Sequence, residues 1–232
     1  MLSVVIPTYN ENRSIGKLLE RIAAVREDIP GGLELLVVDD RSTDGTADLA
    51  ERLLRQYGLG RVIRRTGPRD LAQSVMEGVR QAGGELIGVM DADFSHPPEL
   101  LPELVRAVRT GAEAAVASRY VPGGRIGRWP WHRRWLSRIG NLMVQPLTGV
   151  ADATSGYFVC HARLLRSLAR PPRGFKILLE LLVCGQVQRV REVPYTFTDR
   201  LRGSSKLGSR ALWRYVTQVA WLYADRLRNA HV

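Results

Sequence analysis

Cysteine is nearly missing from this chain: Cys160 and Cys184 are the only two, each set among apolar residues. That argues against a disulfide framework or a cysteine zinc site and fits reduced thiols in a core. Long apolar runs are missing as well, since no uninterrupted stretch approaches the ~18–20 residues that a helix needs to cross a bilayer. No secretory signal opens the chain, because Leu2–Pro7 is a short strand-like run without a basic flank before it. Repeats, low-complexity tracts and a composition shift that would mark a second domain are all lacking. Negative charge is in short supply: 23 acidic against 34 basic residues leave a net charge of +11. Such an excess of arginine implies an anionic partner. Helix-turn-helix, zinc-finger and RNA-recognition signatures are absent, so a nucleotide, a lipid phosphate or a membrane surface is expected ahead of nucleic acid.

What is present alternates. Leu2–Ile6 is a β-branched run closed by Pro7, and Asn12 or Ser14 is expected to cap a helix with apolar positions at Ile15, Leu18, Leu19 and Ile22. Leu33–Val38 reads as a second strand ending at Asp39-Asp40, and Ser42–Gly45 as a turn leading into a helix with Ala47, Leu49, Ala50, Leu53 and Leu54. Arg61–Arg65 is a third strand, Ala72–Ala82 a helix stopped by Gly83-Gly84, Leu86–Met90 a fourth strand, Pro98–Arg109 a helix and Ala114–Ser118 a fifth strand. Strands alternating with short helices predict an α/β fold with a mostly parallel sheet, and ligands beyond the carboxyl ends of its strands. Pro7–Glu11, Asp39-Asp40, Asp91–Ser95 and Arg119-Tyr120 fall at those ends. Later the pattern is less regular. Helices are expected over Ile139–Leu147, within Val159–Leu168, over Phe175–Gly185 and over Ser209–Arg228, with a strand over Arg189–Phe197.

The densest chemistry lies in Met90-Asp91-Ala92-Asp93-Phe94-Ser95-His96-Pro97-Pro98. On a strand end, Asp91 and Asp93 would point to one side, because side chains repeat every second residue. Like charges held that close repel unless a cation lies between them, and hard carboxylate oxygens suit Mg²⁺ or Mn²⁺.

Val4–Glu11, Val37–Thr46 and Met90–Asp93 resemble the family 2 glycosyltransferases of GT-A fold. Ser118-Arg119-Tyr120, Ser137-Arg138, Asp152–Tyr157, Gly174–Ile177, Glu192-Val193-Pro194 and Gly203–Gly208 are similar to the polyprenyl-phosphate (dolichol-phosphate) mannose synthases within it. The resemblance implies one catalytic domain over residues 1–208, followed by an amphipathic helix over 209–232. It implies an inverting enzyme that moves mannose from GDP-mannose to a polyprenyl phosphate with Mg²⁺ or Mn²⁺. A sister transferase using UDP-glucose and a sugar-nucleotide binder without activity are the alternatives.

The same resemblance carries roles residue by residue. Pro7, Tyr9 and Glu11 match the first nucleotide-contacting loop, and Asp40 matches a carboxylate at the nucleoside. Asp91, Ala92 and Asp93 match the metal and diphosphate site. Ser95 stands where some relatives carry a further Gln ligand, so its hydroxyl or a water fills that place. Arg119, Arg138, Arg200 and Arg202, with Ser137 and Lys206, are the expected phosphate contacts. Asp152 lies in a motif that orients the acceptor or supplies a base. Relatives often carry a Gly-Leu pair where this chain reads Asp70-Leu71-Ala72. Many bacterial relatives continue into transmembrane helices, so a C-terminal membrane region or an anchoring partner beyond Val232 is an expectation.

The enzyme is expected at the cytoplasmic face of a membrane. Trp129, Trp131 and Trp135 are interleaved with arginines, a composition suited to headgroup level, and glycines at 123, 124 and 127 suggest a mobile segment. In the last helix, Leu212, Val216, Val219, Tyr223 and Leu227 form one stripe, with Arg210, Arg214, Trp221 and Arg228 opposite.

Overall fold

The computed structural model describes residues 1–127, 129–168, 172, 174–185, 187–198 and 209–229, the side chains at 209–212 and 229 excepted. Its first half alternates as the apolar pattern predicts: β1 (Leu2–Thr8), α1 (Asn12–Ala24), β2 (Leu33–Asp39), α2 (Thr46–Tyr57), β3 (Gly60–Arg64), α3 (Leu71–Gln81), β4 (Leu86–Val89), α4 (Leu101–Arg109) and β5 (Ala114–Ser118). The second half contains β6 (Arg125–Ile126), α5 (Trp131–Thr148), β7 (Phe158–His161), α6 (Ala162–Arg166), α7 (Ile177–Cys184), β8 (Val190–Pro194), β9 (Thr196–Phe197) and α8 (Ser209–Asn229).

Seven strands form one sheet in the order β3-β2-β1-β4-β7-β5-β8, and β6 pairs with β9 beside it. Every neighbour pair in the large sheet is parallel except those of β7, which runs antiparallel to both β4 and β5. Both faces are covered, which is why the strands read as unbroken apolar runs. Val4, Ile6, Leu35 and Val37 pack into one core with α1, α2 and α4, while Val5, Leu36 and Val38 pack into the other with α3, α6, α7 and α8. α3 rests on the sheet at Gly78, where a side chain would fall 2.5 Å from Val5 Cγ1.

Several expectations need correction. Asn12 and Ser14 lie inside α1 and do not cap it. The cap comes from across the sheet, where Thr46 Oγ1 accepts from the Glu11 N–H (2.9 Å) and Asp44 Oδ2 from the Asn12 N–H (3.1 Å). α3 begins one residue early because Asp70 Oδ1 accepts from the Gln73 N–H at 3.0 Å. Val159–Leu168 includes the expected helix, α6, but its first residues belong to β7, which the sequence pattern did not predict: a short apolar run buried on both faces has no period that separates strand from helix, and open edges on β4 and β5 take it.

The tryptophan-rich segment is helical from Trp131 onward, so α5 starts eight residues before the expected Ile139. Trp129 belongs to the core at 8% exposure, with its ring 5.1 Å from Phe197, and so cannot meet a membrane. The stripe on α8 is rotated too. Tyr215, Gln218, Val219 and Leu222 face inward, Trp221 packs partly against the core, and Val216, Tyr223 and Leu227 stay exposed with Trp213. Tyrosine hydroxyls set this rotation: Tyr215 donates to the Gly140 carbonyl and Tyr223 to the Met143 carbonyl, both at 2.7 Å, which lays α8 along α5.

Candidate functional site

The carboxyl ends of β1, β2 and β4 open onto three knitted loops. Asn10 accepts from the Thr43 N–H and Ser42 Oγ from the Asn10 N–H, both at 2.9 Å. Asn10, Arg41 and Phe94 adopt φ between 56° and 67°, a left-handed backbone that non-glycine residues seldom take. All three lie in these loops, and strain of this kind gathers at ligand sites.

Asp39 and Asp40 do different jobs. Asp39 accepts from Thr8 Oγ1 (3.2 Å) and the Ser42 N–H (2.9 Å), holding the turn. Asp40 accepts from Arg65 Nη1 (2.6 Å) and the Asp70 N–H (2.8 Å), tying the loop before α3 to the sheet. Arg69, on that loop, lies 4.4 Å over the Tyr9 ring. The departure at Asp70 therefore has a structural job, because its N–H binds Asp40 and its carboxylate starts α3. Glu11 Oε2 accepts from Ser14 Oγ at 2.9 Å.

The acidic pair lies past the strand, in the turn that follows Val89, so strand alternation does not position it. Side-chain hydrogen bonds do. Asp93, 8% exposed, accepts at Oδ1 from the Ser95 N–H (3.1 Å) and Ser95 Oγ (2.5 Å). The Ser95 hydroxyl thus braces Asp93. The Asp91 N–H donates to His96 Nδ1 at 2.9 Å, leaving the Asp91 carboxylate 38% exposed. His96 is buried and stacks on Tyr157 at 5.0 Å. Burial lowers its pKa against the pull of Asp91 and Asp93, so the ring is neutral at pH 7 and its proton sits on Nε2, 3.9 Å from Asp91 Oδ2.

Across the cleft, Arg119 and Asp152 are each other's partners. Nε and Nη2 of the guanidinium donate to the two carboxylate oxygens at 2.7 Å each, and the Arg119 N–H adds a third bond at 3.0 Å. Burial works against the charge on Arg119, but the bonds and charge of Asp152 prevail and raise its pKa. Glu192 accepts from the Ala151 and Asp152 N–H groups at 2.8 and 3.0 Å. The Tyr120 hydroxyl donates to Ser137 Oγ at 2.8 Å, and Arg138 lies exposed on α5. Lys176 Nζ donates to the Thr154 carbonyl at 2.9 Å; burial, then Arg119, draws its pKa down to about 8 against Asp152 and Asp91. Arg200, Arg202 and Lys206 fall outside the described residues.

Residues 3–168 match the model of the family described as glycosyl transferase family 2. The chain belongs to that family. Among its relatives, a dolichol-phosphate mannosyltransferase of Pyrococcus furiosus is 37% identical over 94% of this chain, which spans 62% of that protein's length. The Saccharomyces cerevisiae dolichol-phosphate mannosyltransferase is 36% identical over 95% of this chain and 86% of its own. The polyprenol monophosphomannose synthase of Mycolicibacterium smegmatis is 36% identical over 98% and 89%. The fold is that of the GT-A enzymes. A glucosyl-3-phosphoglycerate synthase from Mycobacterium tuberculosis, solved with Mn²⁺, UDP-glucose and phosphoglyceric acid, superposes with a TM-score of 0.70 at 20% identity, covering 97% of this chain and 79% of that one. The same synthase has also been solved with Mg²⁺ and UDP.

In this family 2 glycosyltransferase the acidic turn is suited to such an ion. No group of three His, Cys, Asp or Glu side chains among the described residues forms a self-sufficient metal cage. A half-exposed and a buried carboxylate at one turn suit a Mg²⁺-type ion that takes its remaining ligands from substrate phosphates and water. Five residues of the cleft were not singled out from sequence: Arg65, Arg69, His96, Lys176 and Glu192. His96 follows the acidic pair directly and Lys176 sits in the Gly174–Ile177 motif, so each had a signal. The arginines on the loop before α3 had none beyond charge.

Proposed function

We propose that this enzyme transfers mannose from GDP-mannose to a polyprenyl phosphate, with inversion at the anomeric carbon, at the cytoplasmic face of a membrane. The observation that carries this reading is the kinship, over nearly the whole chain, with archaeal, fungal and bacterial transferases named for mannose and a polyprenol or dolichol phosphate. In the reaction, an acceptor phosphate oxygen bonds to the anomeric carbon as the bond to the donor diphosphate breaks on the opposite face. The acceptor is already an anion, so desolvation and aim matter more than a general base.

Asp91 and Asp93 would hold Mg²⁺ or Mn²⁺, which supplies counter-charge to the departing diphosphate. Pro7, Tyr9 and Glu11, with the loop that Asp40 anchors, wall the nucleotide. Asp152 grips Arg119 along its Nε–Nη2 edge and leaves Nη1, which has no partner among the described residues, to meet a phosphate oxygen. Ser137 and Arg138 face the acceptor from α5, with Arg200, Arg202 and Lys206 assigned to the same phosphate by resemblance.

An anionic bilayer is the proposed seat. No helix among the described residues is long and apolar enough to cross a membrane. α5 exposes Trp131, Trp135, Ile139 and Leu142, and α8 exposes Trp213 and Leu227 beside it. Arg134, Arg138, Arg214, Arg226 and Arg228 are exposed on the same two helices. Apolar and aromatic side chains among arginines suit headgroup depth and anionic lipid.

The test is turnover of the purified chain with Mg²⁺, polyprenyl phosphate in vesicles, and labelled GDP-mannose or UDP-glucose. Lipid-linked mannose is the expected product. No transfer, or preferential transfer from UDP-glucose, overturns the reading.

A further inference from the structure

Two cations lie beside the acidic groups of the site, and their charges are not equally available. Asp152 neutralises Arg119 at short range. Lys176 forms no ion pair among the described residues, where its Nζ meets one acceptor, the Thr154 carbonyl. An ammonium has three donors, so two remain. It also lies in the field of Asp91 and Asp152. The Thr154–Gly156 segment links the two sides: Lys176 holds its carbonyl, and the Cβ position at Gly156 is 3.5 Å from Asp91 Oδ2. A partly buried ammonium with donors to give, beside Asp152 and the Thr154–Gly156 segment, is matched by an anionic oxygen.

The backbone of Lys176 is fixed from α8. Gln218 Nε2 donates to the Lys176 carbonyl at 3.3 Å and to Glu180 Oε1 at 2.6 Å, and that same oxygen accepts from the Gly174 N–H at 2.8 Å. A Cβ at residue 174 would lie 2.0 Å from Gln218, so the amide rests directly on the glycine backbone. Gln218 is 4% exposed and its Oε1 is buried with no partner among the described residues. An amide left partly unsatisfied in a core costs stability, so its service lies in what it holds.

We propose that Lys176 donates to a substrate phosphate oxygen between Asp91 and Asp152, and that α8 sets its aim through Gln218. The proposal deepens the transfer reaction above by adding a phosphate-binding cation and a link from the lipid-facing helix to the site.

The test uses K176M, K176R, Q218A and K176M/Q218A in the full chain, with melting curves to verify folding. GDP with Mg²⁺, by calorimetry, and a short-chain polyprenyl phosphate in micelles, by fluorescence, probe the two phosphate sources. K176M is expected to weaken one of them by about 10- to 100-fold, the worth of one charge-assisted bond; K176R should recover part of the loss. A loss with GDP assigns the donor diphosphate, and a loss with the lipid assigns the acceptor. Unchanged binding of both probes by K176M overturns the lysine role. Q218A is expected to weaken the same probe by roughly 3- to 10-fold, with no further loss in the double variant. Additive losses overturn the link. Binding is read independently of turnover, so an enzyme inactive with GDP-mannose would sink the transfer reaction and leave this test standing.

Discussion

Residues before and after β5 organise the cleft by different means. On the donor side, three parallel strands end at one level, and the short loops that follow them bind one another, as Ser42 binds Asn10, or themselves, as Ser95 binds Asp93. Asp39, Asp40 and Asp93 are each held by a neighbouring side chain or a loop N–H, while the Asp91 carboxylate stays open. On the acceptor side, the pairings join the sheet edge to later segments and a helix: Arg119 grips Asp152, and Gln218 on α8 holds the backbone of Lys176. That side also carries most of the exposed large apolar residues, on α5 and α8, against Met1 and Leu71 before β5 among the described residues. On the proposed reading, the first half receives the donor nucleotide on these loops. On the same reading, the second half meets a lipid phosphate, and its geometry depends on α5 and α8, whose outer faces carry exposed apolar residues.

The sharpest test of this contrast is Asp93→Ala. Removing a carboxylate that serves the departing diphosphate should lower turnover by about 10²–10³-fold, while vesicle binding is untouched. Full turnover of the variant in excess EDTA would break the assignment. Next is Asp152→Ala. It strands a buried guanidinium, so unfolding in urea should show a loss of about 3–5 kcal/mol. A variant that loses activity with full stability would mean that Asp152 acts on substrate and leaves the fold of the acceptor side to others.

The tryptophans separate the two roles within a few residues. Trp129→Ser should cost roughly 3 kcal/mol of stability as a core truncation. Trp131→Ser with Trp135→Ser should leave stability alone and weaken sedimentation with anionic vesicles on the order of tenfold. Equal sedimentation of parent and double variant would move docking to α8. The smallest effect is in pH. Folding draws the Lys176 pKa from 10.5 to about 8, chiefly by burial. Between those values the unfolded chain holds a proton that the folded one has released, so stability rises with pH through that window. The penalty is complete below about pH 8. Urea midpoints of the parent and K176M at pH 7.5 and 10 should diverge by this slope; parallel lines would place Lys176 in a more solvated setting.

The donor side was legible because its strands are buried on both faces and its helices on one, which writes clear periods into Leu2–Ser118. The acidic turn was found for partly the wrong reason: its spacing suggested strand alternation, whereas hydrogen bonds from Ser95 and to His96 set it. β7 was hidden because Phe158–His161 carries no period of its own. Arg119 and Asp152 were both visible, but their pairing was not, since nothing in a sequence states which charges 33 residues apart will meet. The α8 stripe misled by rotation, because two tyrosine hydroxyls bound to α5 turned a different face inward.

The place of β7 also bears on how the chain comes together. β4 and β5 are separated in the sheet by a strand made about 40 residues after β5, a topology of distant pairings. Contacts of that range form late and slow folding. Until Phe158–His161 is synthesised and inserted, β4 has one unpaired edge in the middle of the future sheet, a surface that recruits other strands. A nascent chain ending before residue 158 therefore carries the GT-A nucleotide loops on an open sheet, and closure of that sheet is the same event that carries Asp152–Gly156 against His96 and Asp91.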